Sequence, residues 1–147
     1  MIEVIDDFLT ASYHEEILNF VSSGSMMWHY CPNITSDTGN DLGHEGFSSL
    51  LVDSNHHVPP SPLVSLIMPC LFQIKDHLDS PKILRARLDM TLYHPYCIPH
   101  KEHTDMEIPH YSAVYYLNNS DGNTIIGDRE VAPRANRVVV FDGDIVH

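Results

Sequence analysis

Two histidines and one aspartate in the last third of the chain have residue types and spacing that suit a metal site. His103 and Asp105 form an H-x-D pair, and His147 lies far downstream. Two imidazoles and one carboxylate are the ligand set of a facial-triad non-heme iron site, which leaves coordination positions open for other ligands. These residues therefore predict an Fe(II) oxygenase.

Other H-x-[DE] pairs compete with this one, since the chain has 11 His and 20 Asp plus Glu. A ligand pair at i and i+2 needs strand-like backbone, where both side chains share a face. On a helix the two would point about 200° apart. His14-x-Glu16 lies in a predicted helix, and His77-x-Asp79 lies at the end of another. The pair His100-x-Glu102 overlaps the favoured pair and is left open as its competitor.

Short apolar runs on both sides of the pair predict the strands that would position it. They are rich in Val, Ile, Ala and Tyr and are separated by turn residues. Such strands with few helices predict a mainly β (α+β) fold, a double-stranded β-helix or jelly roll. The predicted strands are Ile83–Tyr93, Ser112–Leu117, Thr124–Ile126 and Arg137–Phe141.

Residues 1–82 are predicted to be a helical lead-in that supports this core. Ile2–Leu9 reads as a short strand or extended segment, and Ser12-x-x-Glu15 is a capping box that predicts a helix. Ser61-Pro62 predicts a second helix start, which Pro69 should kink or split. We expect both helices to pack on the outer face of one sheet.

Other features of the first half are assigned to the surface or to the core. The loop Pro32–Asp41 is either an ordinary surface loop or a lid over a substrate. Trp28 and Tyr30 are predicted to lie in a strand and in the core. Three histidines without an acidic residue at ligand spacing are predicted to be surface residues: His44, His56 and His57.

Composition limits the remaining possibilities. A chain of 147 residues fits a single domain, with residues 1–82 as support and 83–147 as core. A net charge of -12 with only 8 Lys plus Arg argues against nucleic-acid partners. No apolar run has the length of a membrane span, and three widely spaced cysteines indicate free thiols in a reducing compartment. We expect a cytoplasmic protein without membrane partners; its oligomeric state is not indicated.

The order of residues after Tyr93 resembles a known family. The 2-oxoglutarate and Fe(II)-dependent dioxygenases, and within them the prolyl-hydroxylase-like branch, are similar over residues 83–147. The matching features, in order, are Tyr93, His103-x-Asp105, Val114–Asn118, Asp121–Thr124, Pro133-x-x-Asn136-Arg137 with the run to Asp142, and His147.

This resemblance implies a site and a reaction. Fe(II) would be held by the His103, Asp105 and His147 side chains, with 2-oxoglutarate and O2 as co-substrates and ascorbate as a supporting reductant. Tyr93 and Tyr116 match positions that hydrogen-bond to 2-oxoglutarate, although both suit core tyrosines as well, and Thr124 lies on a strand that lines the pocket. Oxidative decarboxylation of 2-oxoglutarate would be coupled to hydroxylation of a peptide or small molecule, with prolyl hydroxylation expected from the resemblance alone.

The chain departs from the family at its end. Relatives carry an Arg on the last core strand, about ten residues beyond the distal His, that grips the far carboxylate of 2-oxoglutarate. Here the chain ends at His147, so the last core strand is expected to be missing and the core to be C-terminally incomplete. The sequence is a fragment, or it borrows a strand, or it does not bind 2-oxoglutarate in the usual way; Arg85, Arg87 and Arg137 are left open as substitutes. A cupin-like metal-binding jelly roll without oxygenase activity and a non-catalytic remnant are the alternatives.

Overall fold

The computed structural model describes residues 1–34 and 44–147, and this part of the chain is mainly β, with three antiparallel sheets and two helices. The elements in chain order are β1 (Ile2–Ile5), α1 (Ala11–Val21), β2 (His29–Cys31), β3 (Gly46–Val52), α2 (Pro62–His77), β4 (Ala86–Thr91), β5 (Tyr111–Tyr116), β6 (Thr124–Ile126), β7 (Arg129–Val131) and β8 (Arg137–Asp142).

The chain forms two compact units. Unit 1 consists of Met1–Ser22 and Glu102–His147, and unit 2 of Ser23–Lys101. The N-terminal strand and helix therefore belong with the last third of the chain. The single-domain organisation with a boundary at residue 82 stays a prediction.

The sheet of unit 1 has β8 at its centre. The strand order is β1-β8-β5, and both neighbours of β8 are antiparallel to it. The run Val138–Phe141 is almost completely buried, as expected for β-branched and aromatic residues in a central strand that is covered on both faces. This confirms the predicted strand at Arg137–Phe141.

Helix α1 lies on one face of this sheet. The Tyr115 hydroxyl on β5 donates to Asn136 Oδ1 at 3.0 Å, so His14 Nδ1 on the helix must donate to the Tyr115 oxygen at 2.7 Å. The helix begins at Ala11 after Thr10, whose side chain makes no cap hydrogen bond. The predicted capping box at Ser12 is therefore wrong, because Ser12 already lies within the first turn.

Asn136 joins the start of β8 to the segment before α1. Its side-chain amide makes two hydrogen bonds with the Leu9 backbone. The Leu9 N–H donates to Asn136 Oδ1 at 2.9 Å, and Asn136 Nδ2 donates to the Leu9 carbonyl at 2.8 Å. Asn136 has φ of 61°, a left-handed conformation that asparagine tolerates better than most residues. The tight bend before β8 is thus fixed by a buried amide.

Unit 2 contains the sheet β2-β3-β4 and helix α2. The predicted cap is confirmed, since the Val64 N–H donates to Ser61 Oγ at 3.1 Å. The helix is continuous from Pro62 to His77, so Pro69 does not split it, whereas a kink at Pro69 stays a prediction. The two helices fall in different units, and the packing of both on one sheet stays a prediction.

Several assignments in unit 2 need correction. Tyr30 lies in β2 but is 62% exposed, so its placement in the core is wrong, and Trp28 precedes the strand and is half-buried. His44 is buried rather than on the surface, whereas His56 and His57 are exposed as predicted. Strand β3 was not predicted, and residues 35–41 of the proposed lid lie outside the described part of the chain.

Among the described residues, neither helix is long and apolar enough to span a bilayer.

Candidate metal centre

His103 and His147 are joined through their backbones. The His103 N–H donates to the His147 carbonyl at 2.9 Å, and the His147 N–H donates to the His103 carbonyl at 3.0 Å. This reciprocal exchange is that of a hydrogen-bonded antiparallel pair, in which directly opposed residues lie about 5.5 Å apart at Cα. The two imidazoles accordingly lie side by side, with ring centroids 4.7 Å apart.

Asp105 completes a three-residue cluster. One ligand atom from each of His103, Asp105 and His147 can be chosen so that all lie within 4.8 Å of one another. This is the only group of three or more potential metal-binding side chains in residues 1–34 and 44–147. The Asp105 carboxylate is hydrogen-bonded to β5, because Ser112 Oγ on that strand donates to Asp105 Oδ2 at 2.8 Å.

The His147 ring has a defined orientation. Its Nδ1 lies 3.0 Å from the Ile145 carbonyl, which can only accept, so Nδ1 carries a proton and Nε2 is the atom available to a metal. Nε2 lies 3.6 Å from Asp105 Oδ2, and the edge-on Phe141 ring closes one side at a centroid distance of 4.9 Å. This arrangement, with a carbonyl on the remote nitrogen, is the usual support for a metal-binding histidine.

The same contacts alter the protonation of His147. The Asp105 carboxylate raises the pKa of the imidazole, burial lowers it, and the Ile145 carbonyl raises it further, with a net increase. The positive form is thus stabilised mainly by Asp105, the group that would also face a cation. A proton and a metal ion would compete for Nε2, since a histidine ligand must be neutral.

Three backbone contacts place His147 at this position. The Ile145 N–H donates to the Asp142 carbonyl at 3.1 Å, which forms the turn after β8. The Gly143 N–H donates to the His110 carbonyl at 2.9 Å, and the Gly127 N–H donates to the Val146 carbonyl at 2.8 Å. Gly127, in the β6-β7 turn, has φ of 59°, which glycine adopts without strain.

Tyr116 and Thr124 meet at the other end of the same sheet face. The Tyr116 hydroxyl donates to Thr124 Oγ1 at 2.7 Å, and Tyr116 is 9% exposed. Burial raises the pKa of Tyr116, so the hydroxyl stays protonated as a donor. The structure therefore brings together two of the three residues expected to contact a co-substrate.

The strand register relates these two ends. Residues alternate in direction along a strand, so every second residue of β5 and β8 lies on the face that bears the triad. Ser112 and Tyr116 are four residues apart on β5, a separation of about 13 Å at Cα. The rows across the sheet are Ile2, Phe141 and Ser112 at the triad end, Val4, Val139 and Val114 in the middle, and Arg137 and Tyr116 at the far end.

The apolar middle of this face is covered by the β6-β7 hairpin. Ile126 and Val131 of the hairpin form one core cluster with Tyr116, Val139 and Phe141. Ile126 and Phe141 are fully buried. Water is thus kept from the region between the triad and the tyrosine.

Arg137 is paired with the exposed carboxylate of Asp6. Its Nε and Nη2 donate to Asp6 Oδ1 and Oδ2 at 2.6 and 3.0 Å, and its Nη1 donates to the Ala132 carbonyl at 2.9 Å. This two-point pair lowers the pKa of Asp6. Arg134 also contacts Asp6, at 3.3 Å, and Arg129 donates to the Ile2 carbonyl.

Other predicted residues lie in unit 2. Tyr93 belongs to that unit and is 88% exposed, and its contact with 2-oxoglutarate stays a prediction. His100, of the competing H-x-E pair, has its ring next to that of His44, with centroids 4.7 Å apart. His100 and Glu102 are not part of the cluster that His103, Asp105 and His147 form.

Sequence reasoning missed the residues that support the ligands. Ser112 lies two and four residues before Val114 and Tyr116, and period-2 alternation would have placed it on their face. A small polar residue at the inward position of a strand is a signal for a buried hydrogen bond. The Ile145 carbonyl gave no such signal, since any residue at that position offers the same group.

No family model matches the chain, and a search of curated proteins finds no significant match.

Proposed function

We propose that this chain is a non-heme Fe(II) dioxygenase that uses 2-oxoglutarate to hydroxylate a peptide or small molecule. The observation that carries the proposal is the convergence of His103, Asp105 and His147, with Nε2 of His147 turned toward Asp105. The three residues come from two segments more than forty residues apart in sequence.

The donor set fits Fe(II). Two imidazole nitrogens and one carboxylate oxygen on one side of an ion leave the other positions open, and this is the combination that suits ferrous iron in oxygenases. The supporting bonds from Ser112 and to the Ile145 carbonyl fit as well, because metal-binding carboxylates and histidines are normally held in this way. Together with 2-oxoglutarate and O2, bound iron would supply the oxidation of C–H to C–OH, with succinate and CO2 as the other products.

The far end of the face suits the co-substrate. Thr124 Oγ1 accepts from Tyr116, so the Thr124 hydroxyl proton remains to be donated to a ligand oxygen. This pair and the triad lie on the same face of the sheet, at its two ends. The apolar rows between them would exclude water from the reacting atoms.

A double-stranded β-helix is the fold that we infer for this site. Supporting it are the antiparallel order β1-β8-β5 and the β6-β7 hairpin packed over the triad-bearing face, with α1 on the opposite face. A reducing, cytoplasmic environment is part of the proposal, and three free cysteines agree with it. Prolyl hydroxylation remains the substrate hypothesis within it.

A metal-binding cupin-like protein without oxygenase activity is the second candidate. The observation that favours it is the engagement of the arginines of unit 1, because Arg137 and Arg134 contact Asp6 and Arg129 a backbone carbonyl. A buried carboxylate without a charged partner is costly. The protein would then bind a metal but bind 2-oxoglutarate only weakly.

The first experiment measures metal content after Fe(II), Co(II) or Ni(II) loading and dialysis. The wild type should retain about one ion per chain, and His103→Ala and Asp105→Ala should lose it. His100→Ala is the matched control, since it removes the histidine of the competing pair and should leave the ion bound. Loss of metal in His100→Ala with retention in His103→Ala would contradict the assignment.

The second experiment separates the two candidates. Anaerobic Fe(II) protein is titrated with 2-oxoglutarate, and decarboxylation is then followed in air with and without candidate peptides. Binding followed by substrate-stimulated CO2 release supports the dioxygenase. A stably bound metal without any 2-oxoglutarate binding supports the cupin-like alternative.

A further inference from the structure

Ser112 is the one serine of β5 and is buried, with 7% of its surface exposed. It lies directly opposite Phe141 in the β5-β8 register, in the row at the triad end of the sheet. A buried hydroxyl needs a hydrogen-bond partner. The partner is Oδ2 of Asp105, at 2.8 Å.

The oxygen that Ser112 holds is also the one that faces the histidine. Asp105 Oδ2 is 3.6 Å from His147 Nε2. Asp105 lies outside the regular strands, in a segment without helix or strand structure. Ser112 holds one oxygen of the Asp105 carboxylate from a fixed position, because Ser112 belongs to a strand that pairs over its whole length with β8.

We propose that Ser112 is a positioning residue that holds Asp105 Oδ2 beside His147 Nε2, so that this oxygen is in place before a metal binds. The inference rests on the proposed metal site and adds to it a residue that sets how the ligand binds. A hydroxyl bonded to an ionised carboxylate makes a charge-assisted bond, which is shorter and stronger than a neutral one. It therefore restrains rotation about the carboxyl group and keeps Oδ2 on the side of His147.

The orientation of Asp105 matters for metal affinity. A carboxylate that is already oriented loses less conformational entropy when a metal binds. Removal of the Ser112 hydroxyl should therefore weaken metal binding although all three candidate ligands remain.

The test compares Ser112→Ala with Ser112→Thr, which keeps the hydroxyl, and Ser112→Cys, which keeps the size but has a weak donor. Tyr115→Phe is the matched control, because it removes a hydrogen-bonded hydroxyl from the same strand on the opposite face. For each protein, the Kd for Co(II) is measured by titration, the absorption of bound Co(II) is recorded, and the melting temperature of the metal-free protein is determined.

We expect Ser112→Ala to weaken Co(II) binding by about 10- to 100-fold, as for other supporting groups of metal ligands, and to change the Co(II) absorption. Ser112→Thr should restore both, and Ser112→Cys should be intermediate and serve in place of Ser112→Ala if that variant does not fold. Tyr115→Phe should lower the melting temperature and leave Co(II) binding unchanged.

The outcomes separate failure of this inference from failure of the proposed site. If Ser112→Ala and Ser112→Cys lower only the melting temperature and keep the wild-type Co(II) affinity and absorption, Ser112 is a structural hydroxyl and the inference is overturned. If the wild-type protein binds no Co(II), the metal site itself is refuted. A Ser112→Ala protein that binds Co(II) weakly while Tyr115→Phe does so equally would also overturn the inference, since the effect would then not be specific to Asp105.

Discussion

Gly143 lies in the turn between β8 and His147, and its substitution tests whether this turn positions His147. A Cβ at this position would lie within 3.0 Å of three atoms of the His110 ring, a separation that real Cβ atoms essentially never show. The ring lies directly on the glycine, whose backbone N–H bonds to the His110 carbonyl. Gly143→Ala must therefore displace the ring or the turn, and overpacking of this kind costs about 1–3 kcal/mol.

His110→Ala supplies the matched background for this prediction. Gly143 does not have positive φ, so alanine meets no backbone strain there and would by itself stabilise slightly through the unfolded chain. Without the His110 ring, Gly143→Ala should be neutral or stabilising, which gives a coupling energy of about 1–3 kcal/mol between the two positions.

The assay is thermal unfolding of the metal-free wild type, the two single variants and the double variant. In a chain of this length, each kcal/mol corresponds to a shift of about 2–4 °C in melting temperature. Gly143→Ala should also weaken metal binding, because it moves the turn that carries His147. A Gly143→Ala protein as stable as the wild type, or an equal loss in the His110→Ala background, would refute the reasoning.

Two further predictions concern the far end of the sheet face. Tyr116→Phe should weaken 2-oxoglutarate binding by about 1 kcal/mol, or several-fold, without altering metal affinity. Adding Thr124→Val should weaken that binding little further, because the two hydroxyls form one hydrogen-bonded chain. Titration of the Fe(II) protein with 2-oxoglutarate checks both variants, and fully additive losses of affinity would contradict the shared contact. Asp6→Asn should destabilise at neutral pH, because Arg137 holds the pKa of Asp6 below its ordinary value of 3.8. The stability that the Asp6–Arg137 pair contributes is present above pH 3.8 and is lost as the pH falls through the lowered pKa. The free energies of unfolding of wild type and Asp6→Asn, measured with denaturant, should therefore become equal only in strong acid. Asp7→Asn, at the exposed neighbour, should differ little from wild type at any pH.

The fold of unit 1 was more predictable than that of unit 2. Strand β8 is evident in the sequence as an uninterrupted run of Val and Phe, and a central strand buried on both faces requires such a run. Strand β3 was missed because Ser48 and Ser49 interrupt its apolar residues, and Ser48 in fact bonds across the strand pair to Asp89. Tyr30 was misassigned because an aromatic residue in a strand does not specify which face is covered.

Helix starts and interruptions that depend on distant contacts could not be predicted from the sequence either. Thr10, with no side-chain cap, precedes α1 although Ser12 has the better capping pattern, because Leu9 is fixed by Asn136 from the other end of the chain. Pro69 remains inside a helix in which Ile67 and Cys70, on either side of it, are buried. In each case, tertiary contacts outweighed a local preference of about 1–3 kcal/mol.

The three candidate ligands could be chosen from the sequence because a strand-like pair and a distant histidine have few ways to meet. His14 and His77 are excluded by the helices that contain them, as predicted, and His100 has its ring next to that of His44 in unit 2. What the sequence could not show is that the histidines meet by exchanging backbone hydrogen bonds. That exchange fixes the ring separation before any ion arrives, and a preformed site loses less conformational entropy on binding. If the site is preformed in this way, metal should bind without a large change in secondary structure, and circular dichroism that changes strongly on addition of Co(II) would show that the His103–His147 pairing forms only with the ion.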